Sequence, residues 1–257
     1  MTDIKVALVT GAARGIGRAI ALRLASSSYH VVVGDLDHAA VLRVQEEIEQ
    51  GGGKSTAVQL DVTAKDSREA TLRLCSEKLG RLDVLVNCAG VLKDVLIERM
   101  PLTLFSSLMA VNLIGPLALI GASVDLMRRS GGGAIVNISS RAWLGTFGST
   151  AYSTSKGGLV GASRSLALEL GRYGITVNCI APGFIETEMT AALPEHVRQQ
   201  IFASIAVRHI GQPDDIARAV AFLAEAPYCT GQVLPVCGGR SIGVPELSVN
   251  EELKEHQ

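Results

Sequence analysis

The stretch "VALVTGAARGIGRAIALRLASS", residues 6–27, decides the fold. Its first five residues are apolar or β-branched without interruption, the pattern of a strand buried on both faces. From Ile16 onward the apolar residues recur at helical spacing, with Ile16, Ile20 and Leu24 on one face. Gly11, Gly15 and Gly17 lie between the two patterns. A strand, a glycine-rich turn and a helix therefore follow one another at the start of the chain.

The same alternation continues downstream. "HVVVGD", "STAVQLDV", "LDVLVNCAG", "AIVNISS", "ITVNCIAPG" and "GQVLPVCGG" read as further strands, and amphipathic or apolar segments lie between them. A long helical region is expected near 103–129 and a helix opening near Thr150. Continuous apolar strands alternating with helices imply a parallel sheet covered on both faces, and right-handed crossovers then wind it in two directions. The expected fold is α/β: a single doubly wound Rossmann-type domain over 1–243, with a parallel seven-stranded sheet. Residues 184–210 break the alternation. Residues 244–257 read as a polar, acidic tail.

The glycine turn carries the first chemical inference. Glycines permit a tight turn and let a pyrophosphate approach the backbone, while the helix directs free N–H groups and its positive dipole end at the anion. The spacing is not G-x-G-x-x-G, but the strand–turn–helix context is the one such a site needs. Gly11, Arg14, Gly15, Ile16 and Gly17 are the candidates for this contact. Asp35 ends the second strand, where an acid can hydrogen-bond the adenosine ribose. Its charge repels a 2′-phosphate, which favours NAD over NADP. Arg14 pulls the other way, since it can pair with that phosphate. Asp35 can instead cap the second helix, or Asp37 can take the ribose role.

Composition limits the alternatives. Hydrophobic residues make up 47% of 257 residues and charged ones 19%, with a net charge of -1. That balance lacks the basic face nucleic acid requires. The most apolar segment, Val111–Val124, includes Asn112, Gly115, Pro116 and Gly121 and reads as a buried helix rather than a membrane span. The five cysteines are scattered without zinc or redox spacing, so no metal site is expected and a reducing cytoplasm is the simplest setting.

Tyr152 stands four residues before Lys156 in "AYSTSKGGL". On a helix the two share a face. A phenol is a poor base at neutral pH, and a nearby ammonium lowers its pKa. The pair is therefore expected to handle a substrate hydroxyl proton.

With "TGAARGIG", "DV" at 61–62, "NCAG" at 87–90, "VNLIG" at 111–115, "NISS" at 137–140, "YSTSK" at 152–156 and "APGFIETEM" at 181–189, the chain resembles the short-chain dehydrogenase/reductase family, close to its 3-oxoacyl-reductase-like branch. The likeness spans residues 4 to 240, and it implies that 184–210 form a mobile lid over the substrate. It implies that Lys156 also binds the nicotinamide ribose, and that Asp61 and Val62 contact adenine. It implies that Asn87, Ala89 and Gly90 line the adenosine side, and that Pro182, Gly183, Ile185 and Thr187 seat the carboxamide. Asn112 resembles a helix-kink Asn that holds a water linking Lys156 to solvent; otherwise it is an ordinary buried amide. Cys88 stands where the family often has Asn. A serine at the end of the fifth strand polarises the carbonyl. Ser140 is favoured by strand alternation, while counting back from Tyr152 selects Ser139.

On the substrate side Trp143, Phe147, Phe184 and Met189 suggest an apolar or ring-bearing substrate, with lid packing as the alternative. The expected activity is NAD(H)-dependent interconversion of a secondary alcohol and a ketone. A 3-oxoacyl-thioester reductase acting on carrier-protein or CoA substrates is the alternative. Tyr173 stands where a carrier-protein reductase commonly has a basic residue, and Arg172 beside it can substitute. A cofactor-sensing scaffold is the third possibility, against which the intact Tyr152 and Lys156 argue. The resemblance further implies a homotetramer or homodimer packed through the two long helices.

Overall fold

The computed structural model describes residues 4–187, 190 and 194–243. Met189 and the tail over 244–257 lie outside them. The seven strands are β1 (Val6–Thr10), β2 (His30–Asp35), β3 (Lys54–Gln59), β4 (Val84–Asn87), β5 (Gly133–Ile138), β6 (Ile175–Pro182) and β7 (Val233–Val236). They form one parallel sheet in the order β3-β2-β1-β4-β5-β6-β7. The helices are α1 (Gly15–Ser26), α2 (His38–Gln50), α3 (Lys65–Leu74), α4 (Leu102–Met109), α5 (Gly115–Arg129), α6 (Thr150–Leu170), α7 (Glu195–Ala203) and α8 (Pro213–Ala224).

Strand periodicity divides the core. On β1, Ala7 and Val9 face a cluster containing Ile20 and Leu24 of α1, Val41 of α2 and Ile216 and Val220 of α8. Val6 and Leu8 face the opposite cluster, with Leu119, Ile120 and Met127 of α5. Because both faces are covered, the strand reads as a continuous apolar run rather than an alternating one.

The chain winds outward from β1 to β3, then returns to β4 on the other side of β1. This reversal opens a crevice at the carboxyl ends of β1 and β4, where open α/β sheets bind ligands. Thr10, Asp35, Asn87, Ile138 and Pro182 all end strands at that edge.

The long helix expected near 103–129 is two helices joined by a π-helical turn, Ala110–Ile114. Its span, Leu102–Arg129, is long enough to cross a membrane, and an 18-residue window of it reaches mean hydropathy 1.8. Leu119, Ile120 and Met127 are nevertheless fully buried in the protein core, and so is the amide of Asn112 in the π turn. A spanning helix would place those side chains against lipid instead.

Candidate active site

Tyr152 and Lys156 occupy the first two turns of α6, at the crevice. Lys156 is only 4% exposed. Its Nζ donates to the Ile138 carbonyl at 2.8 Å and lies 5.7 Å from the centroid of the Tyr152 ring. Burial lowers its pKa to about 8, so it is still cationic at neutral pH.

The phenol behaves differently from the spacing argument. Tyr152 is raised, not lowered, from the ordinary tyrosine value. Burial of the ring is the main cause, and a hydrogen bond with the Ser140 side chain pulls partly back. The ammonium is directed at a backbone carbonyl, and it does not overcome the desolvation of the phenolate. Cys88 is also close, but burial pushes its thiol up to about 12, so it is neutral and adds no charge at pH 7. The residue therefore holds its proton in this state and is ready to act as an acid.

The two serines separate cleanly. Ser139 Oγ donates to the Lys156 carbonyl at 3.0 Å and is 3% exposed, which makes it a tie between β5 and α6. Ser140 Oγ accepts from the Ala142 N–H at 3.1 Å and meets Tyr152. Successive side chains on an extended strand point to opposite faces, so only one of the two can face the phenol.

Asn112 is fully bonded. Its Oδ1 accepts from the Val91 N–H at 2.8 Å, and its Nδ2 donates to the Val91 carbonyl at 2.9 Å and to Ser155 Oγ at 3.2 Å. It pins the loop after β4 to the helix kink. A Cβ on Gly90 would lie 3.3 Å from Asn112 Oδ1 and 3.5 Å from Lys156 Nζ, so a side chain there would press on Asn112.

At the nucleotide end, Gly11 and Gly15 hold φ of 66° and 54°, where other residues are strained. The N-terminus of α1 has no side-chain cap and no acid in its first turn, so its N–H groups face the crevice unpaired by side chains. Ile16 packs against the core and Arg14 is exposed, with no ion-pair partner among the described residues. Asp35 accepts from the N–H of Ala13 at 3.1 Å and of Asp37 at 3.2 Å. Asp37 caps α2 through the Ala40 N–H at 3.0 Å, which leaves Asp35 out of that duty.

Asp61 is held low by hydrogen bonds from the Thr63 hydroxyl and N–H, and Val62 beside it is buried. Thr10 Oγ1 accepts from the N–H groups of Cys88 and Ala89 at 3.1 and 3.0 Å and stitches β4 to β1. Asn87 donates to Asn137 Oδ1 at 2.8 Å, yet its own buried Oδ1 has no partner. Gly183 follows Pro182 and packs on Cys237; its Cβ would fall 2.6 Å from the Cys237 Cα. Ile185 bridges to Gly211, and Thr187 leans over the glycine turn, 3.5 Å from where a Cβ on Gly15 would be.

The apolar candidates disperse. Trp143 is half-buried and its indole N–H is buried without a partner. Phe147 is 92% exposed. Phe184 lines a 250 Å³ cavity with Ile205, Val207, His209 and Cys237. None of Ser140, Trp143, Phe147 or Tyr152 lines it. A bridge from Ile185 to Gly211 ties this segment to the residues before α8.

These features fit a dinucleotide. The uncapped helix end and the positive-φ glycines form an anion cradle, the strand-end acid suits a ribose, and the Asn87 oxygen awaits a donor. A family model described as "Enoyl-(Acyl carrier protein) reductase" matches residues 11–241. A 3-oxoacyl-[acyl-carrier-protein] reductase of Staphylococcus aureus is 42% identical, over 93% of this chain and 99% of its own. The (2S)-[(R)-hydroxy(phenyl)methyl]succinyl-CoA dehydrogenase subunit BbsD of Thauera aromatica is 40% identical over 93% and 97%. Among solved structures, a 7α-hydroxysteroid dehydrogenase complexed with NADH and 7-oxo glycochenodeoxycholic acid superposes with TM-score 0.89 at 35% identity, covering 95% of this chain and 96% of that one.

The chain belongs to the short-chain dehydrogenase/reductase family. It is an oxidoreductase acting on CH–OH groups. Several residues of this short-chain dehydrogenase/reductase carry no local sequence signal. Thr10 is an ordinary strand residue until β4 pairs with β1. Asp94, which accepts a hydrogen bond from Ser149 and raises the Tyr152 pKa, sits in a loop without periodicity. The Ile138 carbonyl that holds Lys156 is backbone, and no side-chain pattern announces it.

Proposed function

We propose that the protein interconverts a secondary alcohol and a ketone with NAD(H), on substrates bearing apolar or ring substituents. The observation that carries this reading is that Tyr152 stands beside both the Ser140 hydroxyl and the buried Lys156. In the reductive direction, Ser140 donates to the substrate carbonyl oxygen and Tyr152 delivers its phenolic proton there. Lys156 stabilises the phenolate that remains, from the same helix face. Bound NAD(H) supplies or accepts the hydride.

Gly11, Arg14, Gly15, Ile16 and Gly17 would hold the pyrophosphate, Asp35 the ribose, and Asp61 and Val62 the adenine. Asn87, Ala89 and Gly90 would line the adenosine side. Lys156 and Tyr152 would meet the second ribose, and Pro182, Gly183, Ile185 and Thr187 the carboxamide. NAD is favoured because the Asp35 carboxylate is not used as a helix cap and repels a 2′-phosphate. Five free cysteines suit a reducing cytoplasm. Exposed Leu102, Ile114 and Leu168 on α4, the π turn and α6 suit a homodimer or homotetramer.

One observation favours the thioester alternative. Arg128 and Arg172 both lie against the Tyr173 ring, 5.7 and 4.8 Å from its centroid, a cationic patch fit for an acidic carrier protein. The relatives named for carrier-protein and CoA substrates point the same way.

The test is spectroscopic. Secondary alcohols, ketones and 3-oxoacyl thioesters are supplied with NAD(H) or NADP(H), and absorbance of the reduced nicotinamide is followed. Tyr152→Phe is expected to lower kcat by about 10³-fold or more while cofactor affinity is kept. Unchanged turnover in that variant would remove the assignment.

A further inference from the structure

Two arginines beside the catalytic serine have no role in the mechanism above. Arg141 follows Ser140 directly and opens the 3-10 turn Arg141–Leu144. Its Nε makes a long 3.5 Å contact with the Arg240 carbonyl. Arg240 lies in the loop after β7, and its Nε donates to Ser204 Oγ at 2.8 Å at the end of α7. The catalytic turn, the lid and the loop after β7 thus meet at two guanidinium groups.

No carboxylate answers them among the described residues. Arg18, Arg23, Arg81, Arg198 and Arg218 each have an acid within 2.9 Å, whereas Arg141 and Arg240 have none within 4.0 Å. Each spends its Nε–H on a neutral oxygen and leaves its terminal amino groups unbonded there. Arg240 is held below the ordinary guanidinium value, first by burial and then by the charge of Arg141. Adjacent, partly desolvated like charges are costly unless an anion completes the set.

We infer that Arg141 and Arg240 grip an oxyanion of the substrate, so that the alcohol or ketone carries a carboxylate or phosphate beyond its reacting carbon. This rests on the oxidoreductase reading of the Ser140–Tyr152 site and narrows its substrate class. Guanidinium forks match both anions in geometry, and Arg141 stands in the turn that Ser140 opens.

Trp143 is the single tryptophan and lies two residues from Arg141, so its fluorescence reports on this corner. The full-length protein is titrated, with NAD present, with 5-oxohexanoate, its neutral ethyl ester and inorganic phosphate. Saturable quenching by one or both anions is expected, at least tenfold tighter than by the ester. That affinity falls at least tenfold in Arg141→Met and in Arg240→Met, and the Lys variants recover part of it. Tighter binding of the oxoacid assigns a carboxylate; tighter binding of phosphate assigns a phosphate ester. Equal affinity for acid and ester, no quenching by either anion, or anion affinity that survives both Met substitutions overturns the inference. So does a tenfold gain in anion affinity when Glu246, Glu251, Glu252 and Glu255 are all changed to Gln, because the acidic tail is then the occupant. The readout needs no turnover. An anion preference in a protein inert towards every alcohol and ketone would therefore sink the proposed activity and leave this site standing.

Discussion

A Cβ on Gly17, in the first turn of α1, would lie 2.0 Å from the Gly11 carbonyl oxygen of the turn after β1. In the loop between Ser140 and Tyr152, Gly145 and Gly148 also hold positive φ, at 99° and 75°, but a Cβ on either meets nothing within 4 Å. The first turn is closed by backbone against backbone, and no side-chain adjustment can relieve a clash there. The second is constrained only by its own dihedrals. The glycine turn is thus fixed by sterics that leave one residue type possible, whereas the loop between Ser140 and Tyr152 is free to vary and to acquire groups such as Trp143 and Arg141.

The most severe way to break this comparison is Gly17→Ala. The added methyl cannot fit, so we expect a loss of about 3 kcal/mol or more in stability and loss of measurable cofactor binding. Gly148→Ala pays only for its φ, about 1 kcal/mol, with cofactor affinity unchanged. Thermal melts with and without NAD check both. Similar melts and similar cofactor shifts for the two variants would show that the turns are not built differently.

A finer division runs between adjacent serines. Ser140→Ala removes the donor that meets Tyr152 and should lower kcat by about 10²-fold with cofactor affinity intact. Ser139→Ala removes the tie to the Lys156 carbonyl and should cost about 1 kcal/mol of stability with kcat within a few-fold. Steady-state kinetics paired with denaturant melts separate the two. A reversed pattern would move the catalytic hydroxyl to Ser139.

What could be read from sequence follows the same line. The strands, the glycine turn and the strand-end position of Asp35 were legible because each is enforced locally, by periodicity, by φ or by chain position. That Ser139 and Ser140 meet different partners was legible because alternation is a local rule. The raised pKa of Tyr152 was not, because it depends on how much protein covers the ring and where Lys156 Nζ points, and both are tertiary. The cavity that Phe184 lines was not legible either, for a related reason. Its place depends on the pairing of Ile185 with Gly211, 26 residues away. The Arg141–Arg240 corner joins residues 99 apart and has no sequence motif.

The cofactor preference tests the nucleotide end more gently. Asp35→Ser removes a charge, not a shape, and the Ala13 and Asp37 N–H groups that it accepts from can still be met by a hydroxyl. We expect kcat/KM with NAD to fall about tenfold and that with NADP to rise, as Arg14 is left unopposed at the ribose. Assays with both cofactors decide it. An unaltered preference would take Asp35 out of the cofactor site.

The smallest expected effect concerns Lys156 and its sign is worked from burial. The folded cofactor-free protein holds this amine at a pKa of about 8, against 10.5 for an ordinary lysine. Between those values the unfolded chain binds more protons than the folded one, so this residue makes stability rise with pH across the window. The gain is complete above 10.5 and is lost as pH falls through 8. Buried thiols oppose it: Cys75 and Cys88, pushed up to about 12, stabilise the fold below the ordinary thiol value of 9 and cease to do so above it. The wild-type curve alone therefore mixes two slopes. Subtracting the curve of Lys156→Met removes the shared thiols and isolates the amine. From pH 7 to pH 10, Tm of the wild type should rise relative to that of the Met variant, by a few degrees. A flat difference would mean that the amine is solvated in the empty cleft, and that the strong burial separating this end from the open catalytic loop does not hold in solution.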